Sequence, residues 1–396
     1  MKVFLIGFGQ AGGKIVDLFL EYQLRTGSKS IVRAMAINTA QTDLMGLKYV
    51  PMEDRLLIGQ TVAKGHGVGA DNELGAKVAA DDIYTIQSAI DRRGTHKVDA
   101  FFICSSLGGG TGSGGAPVLA RRLKKLYTEP VYSIGVLPSN DEGALYSLNA
   151  ARSLMTLVKE VDNLFLFDND AWKVEGATLH ESYRAMNEEI ARRFSIILGA
   201  GEEGGASSRG VGEKVVDASE IINTLSTGGV SSVGYAREDV KTASPAGKVP
   251  LLGGIMGGKK KGSLDTLDNT TRIVSLVRRA VMGRLTIPCD VTTAEKALVL
   301  VAGPPDYLDR KGVEKARIWI EELIEGTEVR GGDYPVPGSN YVADVVVLSG
   351  VSEVPRIKEL QKQALEAQDR IKEFATKKDK KVTDLLSSEG DLKPLF

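Results

Sequence analysis

The segment GGGTGSGG, Gly108–Gly115, carries the most information about the fold. It follows an apolar run, Val98–Cys104, that is typical of a buried parallel strand, and it precedes a helical pattern over Ala116–Tyr127. Six of its eight residues are glycine, so its backbone can wrap an anion, and Thr111 and Ser113 add hydroxyl donors. A flexible surface loop is the alternative, but its place between a strand and a helix favours a phosphate-binding loop at a helix start.

A second glycine-rich loop, GFGQAGGK over Gly7–Lys14, lies between a predicted strand, Lys2–Ile6, and a helix predicted from about Gly12. Its G-x-G-x-x-G spacing is shared with dinucleotide-binding proteins, in which an acid at the end of the second strand binds the ribose. Here the second strand, Ser30–Ile37, is followed by Asn38. This weighs against an NAD(P)-dependent oxidoreductase, which stays open as the alternative. Two such loops on one sheet indicate a polyphosphate ligand held from two sides.

The composition is that of an ordinary globular protein. The 396 residues are 42% hydrophobic and 26% charged, and the net charge is −1, so no overall field attracts nucleic acid. Two cysteines, Cys104 and Cys289, exclude a disulfide framework and a cysteine-based zinc site, and three histidines make a His-rich metal cluster unexpected. No apolar run reaches the ~18 residues of a membrane span. The start MKVFLIG carries no secretion signal, so a cytoplasmic location is expected.

Apolar runs that alternate with helical patterns predict a doubly wound α/β domain with a parallel sheet over residues 1–198. A long central helix is expected at its end, from about Thr178 to Leu198. A glycine-rich loop, 199–214, separates it from a smaller α+β domain, 215–350, and residues 351–396 are expected to form a C-terminal helix and tail. Further predicted elements are helices over Asn72–Arg92 and Val313–Glu325, and strands over Pro130–Leu137, Asn163–Phe167, Ala297–Val301 and Val342–Leu348.

A third glycine pattern does not predict a phosphate site. Gly253, Gly258 and Lys259 have the spacing of a P-loop. Lys260 stands where a P-loop has the serine or threonine that binds Mg²⁺, and no apolar helical pattern follows. The segment is therefore interpreted as a basic loop.

Taken together, these segments resemble the tubulin/FtsZ superfamily. GGGTGSGG resembles its signature G-G-G-T-G-[ST]-G, Ile31–Ala40 resembles the second nucleotide loop of FtsZ, and Gly65–Gly75 resembles the third. Pro138–Ala150 looks intermediate between FtsZ and tubulin, and Val161–Trp172 is similar to the tubulin segment that ends at a base-binding asparagine. Within the superfamily the chain most resembles the CetZ group of archaeal tubulin-like proteins, which is linked to cell shape.

The resemblance implies a site for GTP or GDP with Mg²⁺. Glu142 would bond the ribose, and Asn169 and Asn187 would bind the guanine edge. Tyr183 lies four residues before Asn187 on one helix face, so its ring can stack on the base; an ordinary core tyrosine is the alternative. FtsZ has an arginine where this chain has Tyr146, so that phosphate contact is not expected here. The remaining residues implied at the nucleotide are Gly9, Gln10, Ala11, Gly12, Gly13, Lys14, Asn38, Gly108, Gly109, Gly110, Thr111, Gly112 and Ser113.

The segment VVDASEIINTL, Val215–Leu225, resembles the catalytic synergy loop of the family, with Asp217 and Glu220 on its two acidic positions. FtsZ has an asparagine at the position of Val215, so that role is absent here or supplied elsewhere. About twenty helical residues, ~30 Å, separate these acids from their own nucleotide. They would instead reach the GTP of the next subunit in a head-to-tail filament. The alternatives are helix capping and a GTP-binding structural protein without turnover.

Two further segments bear on association. Lys259–Lys261 is either a solvated loop or a contact with a lateral neighbour or an acidic surface. A lateral contact is considered because the equivalent region of tubulin joins neighbouring filaments. The final segment, Leu392–Phe396, is either a disordered end or a peptide that recruits a membrane or an adaptor. In the tail helix a narrow apolar stripe predicts packing on the C-terminal domain, with a partner helix as the second option. The stripe consists of Ile357, Leu360, Ala364, Ala367, Ile371 and Phe374.

Overall fold

The computed structural model describes residues 1–173, 176, 178–200, 216–240, 262–326 and 328–386. In chain order the strands are β1 (Val3–Phe8), β2 (Ile31–Asn38), β3 (Arg55–Leu57), β4 (Ala100–Ser106), β5 (Val131–Leu137), β6 (Asn163–Asp168), β7 (Val230–Asp239), β8 (Lys296–Gly303), β9 (Glu328–Pro335) and β10 (Tyr341–Val351). The helices are α1 (Gly9–Thr26), α2 (Gln41–Met45), α3 (Asn72–Asp81), α4 (Ile83–Arg93), α5 (Thr111–Leu126), α6 (Ala144–Glu160), α7 (Leu179–Ala200), α8 (Ala218–Thr224), α9 (Gly262–Met282), α10 (Arg310–Leu323) and α11 (Pro355–Leu386).

The strands form one mixed sheet in the order β3-β2-β1-β4-β5-β6-β7-β10-β8-β9. The first six are parallel. The join to the second half is short, because β6 and β7 pair only at Leu164 with Val230 and Phe165 with Ser231. Beyond it β10 runs antiparallel to β7 and β8. The predicted class, a doubly wound parallel domain followed by a smaller α+β domain, is confirmed.

Helices cover both faces of the sheet, which explains why its strands read as continuous apolar runs. In β1, Phe4 and Ile6 point into one buried cluster, which also takes side chains from α3, α5, α6, α9, α10 and α11. Leu5 points into the other cluster, with side chains from α1, α7 and α8. Because the parallel strands run in one direction, their carboxyl ends gather the glycine-rich loops at a single edge.

The predicted single helix over Asn72–Arg92 is wrong: it breaks at Asp82, which separates α3 from α4. The carboxylate of Asp82 accepts a hydrogen bond from the amide of Gly59 at 2.6 Å, and its backbone leaves helical geometry. The first helix also starts earlier than predicted, at Gly9 rather than near Gly12. Apolar periodicity did not reveal α6, α9, β7 or β9.

The tail helix α11 packs against α6 of the first domain, so the predicted packing on the C-terminal domain is wrong in its partner. Leu360, Ala364 and Ala367 of the predicted stripe are buried there. Farther along, Ile371 and Phe374 are 46% and 71% exposed, because α11 continues past the end of α6. The apolar stripe is therefore partnered over its first half.

No helix within the described ranges combines the length and apolarity that crossing a bilayer requires. Several predicted features lie outside the described residues. These are loop positions 201–214, Val215, the P-loop-like segment with Gly253, Gly258, Lys259, Lys260 and Lys261, and the final Leu392–Phe396.

Candidate nucleotide-binding site

Two helix N-termini meet at the carboxyl edge of the parallel sheet. β1 and β4 are neighbouring strands, and α1 and α5 start directly after them. Neither helix has a side-chain cap: the cap positions are Phe8 and Gly110, and neither offers a side-chain hydrogen-bond acceptor. The amide groups of both first turns are therefore available to an anion, and both helix dipoles favour negative charge there.

The glycines of the two loops are required by close backbone packing. A Cβ atom on Gly9, whose φ is +77°, would lie 2.8 Å from the amide nitrogen of Gly112. A Cβ atom on Gly12 would lie 2.0 Å from the carbonyl oxygen of Cys104. Gly109 differs, because, apart from its chain neighbours, no atom of the described residues lies within 4 Å of the position that a Cβ atom would take there. The loops thus lock against each other and leave open space beside Gly109 for a ligand.

The loop Gly65–Gly75 packs over the glycine-rich loop Gly108–Gly115. A Cβ atom on Gly110 would meet the side chain of Val68 at 2.6 Å, and one on Gly75 would lie 2.3 Å from the Gly110 carbonyl oxygen. The buried amide of Asn149 donates to the carbonyl oxygens of Ala70 at 2.7 Å and Gly108 at 3.0 Å. Asn149 was not predicted, because its role depends on where α6 lies and no local pattern marks it.

Side chains also tie the loops to the end of β2. The carboxylate of Asp43 accepts from the Gln10 amide at 2.9 Å and from the Asn38 amide at 3.0 Å. The hydroxyls of Thr39 and Thr111 lie 2.7 Å apart. Two predicted residues, Gln10 and Asn38, are thus brought together by a carboxylate that was not predicted from the sequence.

The predicted hydroxyl of Ser113 does not face open space. Ser113 is buried, and its hydroxyl donates to the carbonyl oxygen of Gly109 and, at 3.3 Å, to that of Gly110. It therefore stabilises the loop from inside. Ala11, Gly13 and Lys14 lie in the first two turns of α1, with Gly13 buried and Lys14 exposed.

Three predicted residues come together beside the two glycine-rich loops. One carboxylate oxygen of Glu142 accepts from the Asn169 amide at 3.0 Å and from the backbone amide of Ser139 at 2.8 Å. Burial raises the pKa of Tyr183 to about 12, and the negative charge of Glu142, to which its hydroxyl bonds, adds to the rise. Asn169 and Tyr183 line one narrow pocket with Trp172.

The side-chain oxygen of Asn169 is buried and has no hydrogen-bond partner in the described part of the chain. A buried acceptor without a partner costs roughly 1–3 kcal/mol, and such atoms are uncommon in folded proteins. A ligand donor would remove this cost. Asn187 lies one turn beyond Tyr183 on α7 and is half-buried, and no hydrogen bond joins it to the other two within the described residues.

Trp172 fastens this pocket to the central helix and the second domain. Its ring lies between two guanidinium groups, those of Arg193 at 4.7 Å and Arg284 at 4.9 Å from the ring centre. Its indole N–H donates to the carbonyl oxygen of Leu285 at 3.1 Å. Trp172 was not predicted as a site residue; the signal was a large aromatic three residues after Asn169.

The two predicted catalytic acids lie at the opposite edge of the sheet. Asn163, the first residue of β6, donates to the carbonyl oxygen of Leu225 just after α8, whereas Asn169 follows the last residue of β6. Six strand residues span about 20 Å. Asp217 and Glu220, at the start of α8, are thus separated from the glycine-rich edge by the length of the sheet.

Asp217 and Glu220 form a capping box. The Asp217 carboxylate accepts from the Glu220 amide at 2.9 Å, and the Glu220 carboxylate faces the Asp217 amide at 3.4 Å. Hydrogen bonds, first from the Ser219 hydroxyl, lower the pKa of the exposed Asp217. Glu220 also pairs with Arg330 at 3.5 Å. The capping alternative is thus present, and a catalytic role stays a prediction.

Family models match almost the whole chain. A model for the GTPase domain of the tubulin/FtsZ family matches residues 2–175, and a model for the C-terminal domain of tubulin-like CetZ proteins matches residues 176–366. The tubulin-like protein CetZ1 of Haloferax volcanii is 56% identical over 375 residues, which are 94% of this chain and 94% of that protein.

Two solved structures are similar in fold and sequence. A GDP-bound monomer of CetZ1 from Haloferax volcanii has a TM-score of 0.81 and 53% identity, over 93% of this chain and 100% of that one. A GTPγS-bound protofilament of CetZ2 from the same organism has a TM-score of 0.81 and 42% identity, over 94% of this chain and 100% of that one.

Proposed function

Because the chain belongs to the CetZ group of tubulin-like proteins in the tubulin/FtsZ family, we propose that it is a GTP-binding, GTP-hydrolysing cytoskeletal protein that assembles head to tail. The observation that carries the proposal is the edge where two helix starts without a side-chain acceptor at the cap position lie beside a pocket whose amide oxygen has no hydrogen-bond partner among the described residues. Phosphate groups, a ribose and a base have complementary partners there.

Each part of GTP has a place at this edge. The first turns of α1 and α5 would hold the phosphates through backbone amides. Glu142 would accept from the ribose, the Tyr183 ring would stack on the base, and the Asn169 oxygen would accept from a guanine N–H. Adenine lacks the guanine donors at ring positions 1 and 2, so ATP would leave that oxygen without a partner. We therefore expect GTP to be selected.

Hydrolysis would take place where two subunits meet. Asp217 and Glu220 of one subunit would orient a water for attack on the γ-phosphate of GTP held by the next, which releases GDP and phosphate. The 22 residues of α7 span about 33 Å, and this length supports the acids acting on a neighbour. The exposure of Asp217 and its lowered pKa keep a charged carboxylate at the surface.

A metal ion would add to charge neutralisation at the phosphates. No group of three or more His, Cys, Asp or Glu side chains is arranged to hold a metal within the residues that the structure describes. Mg²⁺ readily keeps several waters and binds through substrate phosphates. We therefore expect Mg²⁺ to enter with GTP and to be held mainly by its phosphates.

One alternative keeps the fold and drops the turnover. Because Asp217 and Glu220 satisfy each other in a capping box, the chain would then be a GTP-binding structural protein whose acids serve only α8. The NAD(P)-dependent oxidoreductase has no support from the family. A role in cell shape is a proposal that follows from the family resemblance. A cytoplasmic location, and recruitment of a membrane or an adaptor by the tail, are proposals that rest on the sequence alone.

Binding and turnover measured on one preparation test the proposal. The protein should bind GTP far more tightly than ATP and should not bind NAD. Electron microscopy should show filaments with GTP and none without nucleotide, and phosphate release should rise with protein concentration as junctions form. Equal affinity for ATP and GTP would refute the site assignment. Filaments without phosphate release would favour the structural alternative.

A further inference from the structure

The first turn of the tail helix α11 is attached to the loop that carries Glu142. Arg356 is 5% exposed, donates hydrogen bonds to three groups of the first domain and forms an ion pair with Glu359 of its own helix at 3.0 Å. Its guanidinium bonds the Asp168 carboxylate at 3.2 Å, the Asn140 side-chain oxygen at 2.5 Å and the Pro138 carbonyl oxygen at 2.8 Å. The planar guanidinium spreads its donors over three nitrogens in fixed directions and so reaches acceptors on separate segments, whereas a lysine ammonium offers its donors from a single point on a flexible stem.

Two more residues of α11 join the same contact. Glu359 and Gln363 lie three and seven residues after Arg356, so all three share one helix face. The Asn140 amide donates to Glu359 at 3.2 Å, and the Gln363 amide donates to the Asn140 oxygen at 2.8 Å. Asn140 is therefore the residue through which α11 is hydrogen-bonded to the loop between β5 and α6.

The residues that Arg356 contacts are close in sequence to the residues proposed to bind the nucleoside. Asn140 lies two residues before Glu142, and Asp168 lies directly before Asn169. Glu142 and Asn169 are themselves hydrogen-bonded at 3.0 Å. One buried guanidinium thus fixes both segments from which the proposed ribose and base contacts arise.

We propose that Arg356 is a positioning residue of the nucleotide site, which acts through Asn140 and Asp168 to hold Glu142 and Asn169 in register for the nucleoside. This makes the tail helix part of the site although it contributes no group to the ligand. The inference rests on the proposed function, in which Glu142 bonds the ribose. A buried ion pair is a weak source of stability compared with apolar packing, so its geometry rather than its energy is the feature that needs explanation.

The test compares GDP with 2′,3′-dideoxy-GDP, which lacks the hydroxyls that Glu142 would bind. We expect the full-length protein to prefer GDP by about 10-fold or more, because the dideoxy ligand loses its hydrogen bond to a charged group. In Arg356→Met the preference should fall below about 3-fold, because the two changes remove one coupled interaction. Asn140→Ala, an exposed position, should show the same fall without the loss of a buried charge.

Controls separate positioning from general loss of stability. Lys358→Met changes a neighbouring, 68% exposed cation that pairs with Glu353, and it should keep the full preference for GDP. Arg356→Lys keeps the charge but not the planar, spread donors that reach Pro138, Asn140 and Asp168 together, so it should behave like Arg356→Met. If Arg356→Met and Asn140→Ala keep the unmodified protein's preference for GDP over the dideoxy ligand, the inference is wrong. This holds also if both variants bind the two ligands more weakly by the same factor. Failure of the unmodified protein to bind GDP would overturn the proposed function instead.

Discussion

The two edges of the parallel sheet differ in how complete they are. At the carboxyl edge two helix starts lack caps, the Asn169 oxygen lacks a partner among the described residues, and space stands open beside Gly109. At the amino edge Asp217 and Glu220 satisfy each other. The Asn163 amide bonds the carbonyl oxygens of Leu225 and Gly228, both at 3.2 Å. We propose that the carboxyl edge is shaped for a ligand by its own chain, whereas the amino edge, which is complete as structure, would act only on a neighbouring subunit.

The largest expected effect separates capping from catalysis at the amino edge. Asn caps a helix as well as Asp does, so Asp217→Asn should preserve α8 and the affinity of the monomer for GTP. It removes the charge that would orient the water, and we expect phosphate release within filaments to fall by about 10²- to 10⁴-fold.

Asp309→Asn is the matched control for this variant, since Asp309 caps α10 in the same way. It should leave turnover unchanged. Normal phosphate release from Asp217→Asn filaments would leave the acids with capping alone.

The second prediction tests the open space at the carboxyl edge. Gly109→Glu should fold, because the part of the chain that the structure describes places no atom, other than those of the chain neighbours, within 4 Å of the new Cβ. The substitution places a negative charge where the phosphates would lie. Repulsion of this kind should weaken GTP binding by about 100-fold or more. Gly109→Gln has the same bulk without the charge and should lose much less affinity in the same calorimetric titration. Equal losses in the two variants would show that bulk, not phosphate proximity, matters there.

A smaller effect is expected at the base. Asn187→Ala should reduce the preference for GTP over ATP by roughly 5- to 150-fold, the equivalent of about 1–3 kcal/mol for a lost buried hydrogen bond. Its neighbour Glu188, which pairs with Arg184, offers a control in Glu188→Ala. Tyr183→Phe should keep the stacking and Tyr183→Ala should weaken both nucleotides. An unchanged ratio of affinities in Asn187→Ala would remove Asn187 from the base site.

The smallest effect concerns stability. Asp217→Ala deletes the cap of α8 and should lower the free energy of unfolding by about 1 kcal/mol, whereas Asp217→Asn should change it by a few tenths. Denaturant titration of both variants without nucleotide measures the difference. If the two variants are equally stable, the capping box contributes nothing and the completeness of the amino edge is overstated.

Local signals predicted the carboxyl edge well. Gly9, Gly12 and Gly110 could be recognised from the sequence, because these positions require glycine: a side chain there would collide with a backbone or an adjacent loop. The parallel sheet follows from apolar runs buried on both faces. The helix break at Asp82 escaped prediction, because it depends on a hydrogen bond to Gly59, 23 residues away.

Residues that act across the fold gave no such signal. Asp43 and Asn149 bind loops that lie far away in sequence, and Arg356 reaches Pro138 over a separation of 218 residues. The apolar stripe of α11 predicted a buried face but not its partner. An apolar helix face indicates that the helix packs on another element, but it does not indicate which element. The roles of Asp217 and Glu220 stay a prediction for a similar reason: the group on which they would act belongs to another molecule.

The most direct test of the shared site mixes two inactive proteins. Gly109→Glu keeps the acids but should not hold GTP, and the double variant Asp217→Asn, Glu220→Gln holds GTP but lacks the acids. Each alone should release almost no phosphate. In the mixture the acidic edge of the first can dock on the GTP edge of the second, so phosphate release should reappear and depend on both concentrations. As a control, a protein that carries Gly109→Glu, Asp217→Asn and Glu220→Gln in one chain should give no phosphate release when it is mixed with the double variant. No phosphate release from the first mixture, with both proteins folded and associating, would contradict a site completed by the neighbouring subunit.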